Sequence, residues 1–326
     1  MFPALLLASA ALAQWTPITA PATKASLRGL SAVNANVAWT SGSGGAIFVT
    51  VDGGRTWQNR SIAGNLDFRD IQAFDEKTAV AMSAGPGAQS RIYRTEDGGA
   101  QWTLTHQNKQ EKGFFDSMAF WDRRRGILVG DPVDGKFTIL TTSTAGVTWQ
   151  PIPAAGMPAA NEGEGAFAAS GTAITVQPGG KVWFGTGGKL GGRVFLSEDW
   201  GRTWTVVQTP IRHDSESSGI FSILFRDARN GIAVGGDYRK LKDTQATMIV
   251  TSDGGRTWTL ANGLTGFRSA IVTMQQTWFA TGPEGSDVSE DGGRSWRAIP
   301  APGYHSLSKS FASGADGRVS KVKVLE

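Results

Sequence analysis

The strongest constraint on this chain is an eight-residue motif that returns along most of its length. It reads Thr50-Val51-Asp52-Gly53-Gly54-Arg55-Thr56-Trp57 and recurs in copies ending at Trp102, Trp204, Trp258 and Trp296. A degenerate copy, Thr142 to Trp149, has Thr144 where the others have Asp. The pattern is that of a hairpin turn. The carboxylate accepts backbone N–H bonds inside the turn, and glycine supplies the positive φ that closes it. The Trp then opens the next strand and buries a large apolar surface between sheets. These turn bonds account for the box aspartates, so a catalytic role is not assigned to them.

Successive box tryptophans lie 45, 47, 55, 54 and 38 residues apart, the length of a four-stranded blade and too long for one hairpin. The first repeat reads as an inner strand over 27–33, a second over 36–40, a Gly-rich loop, a third over 46–50, the box and an outer strand. Six boxes give six blades. After the sixth, an inner strand near 306–312 and a segment over 317–322 lack one partner strand. Gln14-Trp15-Thr16-Pro17-Ile18 resembles Gln101-Trp102-Thr103-Leu104, so the start of the chain is expected to complete a seventh blade. The fold class is therefore all-β: one seven-bladed β-propeller of antiparallel four-stranded blades over residues 14–326, closed by its N-terminal strand. Closure removes the open edges that promote association, so a monomer is expected.

Residues 1–13 are apolar or small and end in Ala11-Leu12-Ala13, the pattern of a signal-peptide cleavage site, although no Lys or Arg precedes the apolar run. A periplasmic or secreted protein is expected. The chain has no Cys, which removes disulfides, thiol chemistry and a lipoprotein anchor. Its 32 basic and 28 acidic residues are dispersed, which argues against a nucleic-acid partner. No later segment is long and apolar enough for a membrane span.

The boxes resemble the Asp-boxes of sialidases and other bacterial-neuraminidase-repeat proteins, a motif specific for a blade turn and weak for activity. The whole repeat, with Leu27-Arg28-Gly29-Leu30, Ala38-Trp39-Thr40-Ser41-Gly42 and Asp52-Gly53-Gly54-Arg55-Thr56-Trp57, is similar to the photosystem II stability/assembly factor family over essentially all of residues 15–326. That resemblance implies a seven-bladed propeller in a lumenal or periplasmic compartment, acting as a non-enzymatic chaperone in photosynthetic members.

Function is expected on the face opposite the boxes. Aligning the inner-strand entrances places Arg28, Arg69, Asp116, Gly165, Gly219, Arg268 and His305 around the channel mouth, with Asp131, Glu162, Glu164, Arg193, Asp237, Tyr238 and Arg239 on adjacent loops. The rim is expected to grip an acidic or polar segment of a protein partner, its arginines binding carboxylates bidentately. The structural alternative is that these arginines satisfy strand-end carbonyls or pair with neighbours such as Asp70. The enzymatic alternative is a glycoside hydrolase using two of Glu162, Glu164, Asp131, Asp237 and Asp116. A sialidase version would need three arginines and a tyrosine, nominally Tyr238 or Tyr304. Against it, the chain lacks the Arg-Ile-Pro motif of sialidases and has one blade too many.

No cofactor is expected. Gly185-Thr186-Gly187-Gly188 leads into another strand, whereas a phosphate site needs a helix N-terminus. His106, His213 and His305 fall in separate repeats, which argues against zinc; calcium at the loop over 131–134 is the metal left open. No Gly-x-Ser-x-Gly elbow is present. Two charged insertions, 106–113 and 239–247, read as contact arms or as solvated loops. The stretch over 151–164 reads as a connector, with the repeat resuming at Ala166.

Overall fold

The structure, a computed structural model, describes residues 14–300 and 302–323; the expected signal peptide, residues 1–13, lies outside them. Seven antiparallel four-stranded sheets form a ring. Blade 1 comprises Leu27–Ala32, Ala38–Gly42, Ile47–Thr50 and Gln58–Asn59. The inner strands of blades 2 to 6 are Asp67–Ala73, Phe115–Phe120, Ile174–Gln177, Ser218–Phe225 and Ala270–Met274. Blade 7 takes Ser306–Ser308, Phe311–Ser313 and Val319–Lys323 from the end of the described chain and Gln14–Pro17 from its start. Trp15 pairs with Val322, and its ring packs on Phe279 and Tyr304.

Two strand limits differ from the sequence reading. The second strand starts at Ala38, since the Asn34 side-chain oxygen accepts the Asn36 and Val37 N–H groups and holds them in a turn. The segment 306–312 is two strands joined by a tight turn with Lys309 at φ +47°.

The box works as a hydrogen-bonded knot. Asp52 Oδ1 accepts from the Arg55 and Thr56 N–H groups at 3.0 Å each, while the Thr50 hydroxyl accepts from Gly54 N–H at 2.8 Å. Gly53 and Gly54 both hold positive φ, 79° and 86°, where a Cβ would be strained. The degenerate copy keeps the turn, with the Thr144 hydroxyl accepting from Thr148 N–H at 3.0 Å.

The core lies between blades. Trp39, Ile47 and Val49 of blade 1 pack against Phe68, Ile71, Ala79 and Tyr93 of blade 2, and comparable clusters join the later pairs. Trp15, Val322 and Leu307 of blade 7 meet Phe279 and Val288 of blade 6. Each blade buries its apolar face only against its neighbours, so the ring is stable as a whole.

Candidate functional site

Antiparallel connectivity puts the boxes on one face and the blade-to-blade crossings on the other. On the crossing face a cavity of roughly 520 Å³ opens at the channel mouth. Its walls differ in chemistry around the ring. Blades 7, 1 and 2 supply His305, Arg28 and Arg69; blade 3 supplies Asp116 and Asp131; blades 5 and 6 supply Phe221, Tyr238, Leu241 and Phe267.

A β-bulge brings three of these side chains inward. The pairing register shifts between Leu27 and Gly29, between Phe68 and Asp70, and between Phe115 and Ser117, leaving Arg28, Arg69 and Asp116 as the extra residues. In blade 5 the shift falls between Ile220 and Ser222. The bulged residue there is Phe221, so the alignment through Gly219 is corrected by two positions.

Blade 4 brings a larger correction. Its inner strand starts at Ile174, not near Ala166, and the preceding segment crosses the channel. Arg69 Nη1 donates to the Ala168 carbonyl at 2.8 Å, and Arg28 Nη1 to that of Ala169 at 3.5 Å. The Ser170 hydroxyl donates to the Ser269 carbonyl, and the Ser306 hydroxyl donates to that of Ser170. One segment thus bonds to blades 1, 2, 6 and 7. It floors the mouth, which is a cup. Gly165, expected at the rim, instead pairs with Gly187 in an isolated bridge.

The expected site residues divide into two groups. Arg28, Arg69, Asp116, Asp131, Tyr238 and His305 line the cup. Four others are committed elsewhere. Arg268 is buried against Asp287 at 2.6 Å and also donates to the Phe267 carbonyl and the Thr265 hydroxyl. Arg193 pairs with buried Glu164, whose Oε1 also accepts from the Thr186 hydroxyl. Asp237 accepts from Ser217, Ser215 and Arg239 N–H and so fixes its own loop. Glu162 is exposed on a turn. Tyr304, buried, shares a hydrogen bond with Ser320.

The cup is electrostatically unsettled. Arg28 makes no ion pair among the described residues, and burial, with Arg69 nearby, lowers its pKa to about 10. Arg69 is held by Asp67 at 2.6 Å. Asp116 is 1 % exposed and its Oδ2 has no partner among the described residues. Burial and the adjacent Asp131 push its carboxyl well above the carboxylate range. Asp131 accepts the Ala166 N–H at 3.0 Å, and burial raises it to about 6. Burial and the three cations Arg28, Arg69 and Arg318 lower His305 to about 3, so the ring is neutral; its Nδ1 is also unpartnered.

Sequence reading missed the aromatic wall. Phe167 stacks on Phe221 with centroids 3.9 Å apart, Tyr238 sits edge-on to both, and Phe267 stands edge-on to Phe221. The charged insertion over 239–247 is a largely exposed loop anchored at two points. Arg212 ties it through Asp243, and Leu241 lines the cup. The other insertion borders a separate groove through Gln107 to Glu111. Among the described residues no three His, Asp or Glu side chains gather as a metal site, and Asp134 sits at a hairpin tip with φ +51°.

No family model and no curated protein matches the chain. Solved structures do. YCF48 bound to D1 peptide aligns with a TM-score of 0.67 and 16 % identity, covering 96 % of both chains. The chain has the YCF48 fold. YCF48 from Cyanidioschyzon merolae aligns with a TM-score of 0.62 and 18 % identity over 94 % of this chain and 98 % of that one. The likeness to photosystem II assembly factors read from the repeats thus has a counterpart in three dimensions. At these identities it is a likeness of fold. The computationally designed Ika8 protein also aligns, with a TM-score of 0.54 and 12 % identity over 95 % of this chain and 98 % of that one, and a fold shared with a designed protein carries no activity by itself.

Proposed function

We propose that this protein is an exported, non-enzymatic binding propeller, similar in role to an assembly factor, that takes a polypeptide segment of a partner into the cup at its channel mouth. The observation that carries this reading is the cup itself: unpaired polar groups on one side, stacked aromatics on the other, and a closed floor. Concave sites with an apolar wall and a few converging polar groups are what ligand recognition uses. The YCF48 structure described as bound to D1 peptide supports a peptide as the ligand class.

Hydrolysis is the weaker reading. A glycosidase divides its two carboxyls, one protonated and one ionised, by giving them different environments. Glu164 and Asp237 are held by internal bonds and Glu162 is exposed on a turn, which leaves Asp116 and Asp131, side by side on blade 3, where a glycosidase needs carboxyls that flank the scissile bond.

The test is site-specific photocrosslinking in native extract. A benzophenone side chain replaces Tyr238, at the mouth and 43 % exposed, or Val51, equally exposed on the box face. A partner adduct at 238 only, lost in Arg28→Gln/Arg69→Gln, supports the reading; equal adducts at both positions overturn it. Arg268 is left intact because its charge balances buried Asp287. Export is checked by fractionation and N-terminal sequencing: a periplasmic product starting at Gln14 is expected, and a cytoplasmic one starting at Met1 counts against it.

A further inference from the structure

We propose that Asp116 and Asp131 form the seat of a cationic group, an ammonium or guanidinium, which the ligand carries into the cup on an apolar stem. The inference rests on the cup being the binding site and adds the charge of what enters it. Asp116 is 1 % exposed, lines the cavity, and has a carboxylate oxygen without a partner among the described residues. Buried polar atoms are nearly always satisfied, so one without a partner, in a residue that lines a cavity, calls for a ligand group.

Arg69, whose charge reaches Asp116, makes no ion pair with it among the described residues. Arg69 directs Nε to Asp67 and Nη1 to the Ala168 carbonyl. Asp131 spends one oxygen on Ala166 N–H. The same cavity has an aromatic wall, and a cation over a ring face gains further attraction. An anion would face two carboxyls there. The opposite arc, Arg28 with the unpartnered His305 Nδ1, suits a carboxylate or carbonyl of the same ligand.

At pH 7.5 Asp131, raised only to about 6, is already ionised, so seating a cation ionises Asp116 and releases its one proton to solvent. Other charged groups lie around it: Asp67 and Arg69 on blade 2, Lys112 before blade 3, and Glu164 and Glu216 across the groove that Asp131 also borders. None of these makes an ion pair with Asp116 or Asp131 among the described residues.

Three probes of one shape decide the matter: 4-fluorobenzylammonium, 4-fluorobenzyl alcohol and 4-fluorobenzoate, titrated by fluorine NMR. At pH 7.5 the ammonium should bind about ten-fold more tightly than the alcohol. That preference should fall to within about two-fold in Asp116→Asn/Asp131→Asn and shrink in the native protein as pH drops to 5.5. Equal binding of ammonium and alcohol, tighter binding of benzoate, absence of ammonium binding, or a preference that survives the double substitution overturns the seat. If the double variant does not fold, Asp131→Asn and the native pH series decide alone. Crosslinking at Tyr238 reports separately on the cup, so a failed seat and a failed cup are distinguishable.

Discussion

Thr144 stands where the other box turns have aspartate, and its hydroxyl does only part of the work. It accepts the Thr148 N–H, whereas Asp52 Oδ1 accepts two N–H groups and Oδ2 takes the Thr56 hydroxyl. Thr144→Asp should therefore raise Tm by about 1 °C, measured by calorimetry, since it adds charge-assisted bonds at an exposed turn. Asp70 makes the opposite point. It is buried, and burial lifts its carboxyl to about 8 although it accepts the Met118 N–H at 2.7 Å. Between the unfolded carboxylate range and pH 8 the folded state holds this proton and the unfolded state does not, so stability falls as pH rises. His305, buried neutral, favours folding above its unfolded value near 6.5 and opposes that slope only below it. From pH 6.5 to 8 unfolding free energy should therefore drop by about 1 kcal/mol per pH unit for Asp70, with Asp116 adding the same sign. In Asp70→Asn, which can still accept from Met118, denaturant titrations should show a flatter profile; an unchanged slope would place the effect elsewhere.

At the scale of the element, the blades were legible because box, Trp and strand recur at blade length, and the channel floor was not because it breaks that period. Ala166-Phe167-Ala168-Ala169-Ser170-Gly171-Thr172 resembles an inner strand in composition, yet Ala168, Ala169 and Ser170 find partners about 100 to 140 residues away on blades 1, 2, 6 and 7. No local pattern encodes such bonds. The aromatic wall was hidden for a related reason: counting by repeat lands on Gly219, and a bulge turns Phe221 inward. Arginines at strand entrances were visible, but whether one lacks an ion pair among the described residues, like Arg28, or is consumed by one, like Arg268, depends on partners that only the folded ring brings together. The floor has one sharp test. Gly171 holds φ +73°, and a Cβ there would stand 2.4 Å from the Asp70 carboxylate oxygen. Gly171→Ala should cost about 2–4 kcal/mol and speed hydrogen exchange across 166–172 more than in the box turns. Uniform loosening of the whole ring would contradict a discrete floor.

At the scale of the molecule, everything depends on the ring being closed. The cup draws side chains from all seven blades, so its geometry is only as fixed as the weakest junction. The junction that closes the ring is blade 7, where Gln14–Pro17 pairs with Val319–Lys323 in a sheet drawn from both ends of the described chain. Trp15 is 7 % exposed and fills the seam to blade 6 through Phe279 and Tyr304. Truncating such a buried indole removes a large apolar contact and leaves a void, so Trp15→Ala should cost about 3–5 kcal/mol. Deleting residues 14–17 goes further, because it uncovers the backbone edge of Val319–Lys323, and an open edge recruits strands from other molecules. The deletion variant should therefore form dimers and larger species that grow with concentration in size-exclusion chromatography with light scattering, while Trp15→Ala stays monomeric but less stable. A synthetic peptide spanning residues 14–20 added to the deletion variant should reoccupy the edge, restore the monomer and recover ligand binding at the distant cup. Failure of the peptide to do so, with the deletion variant itself monomeric and stable, would show that the ring holds without its closing strand.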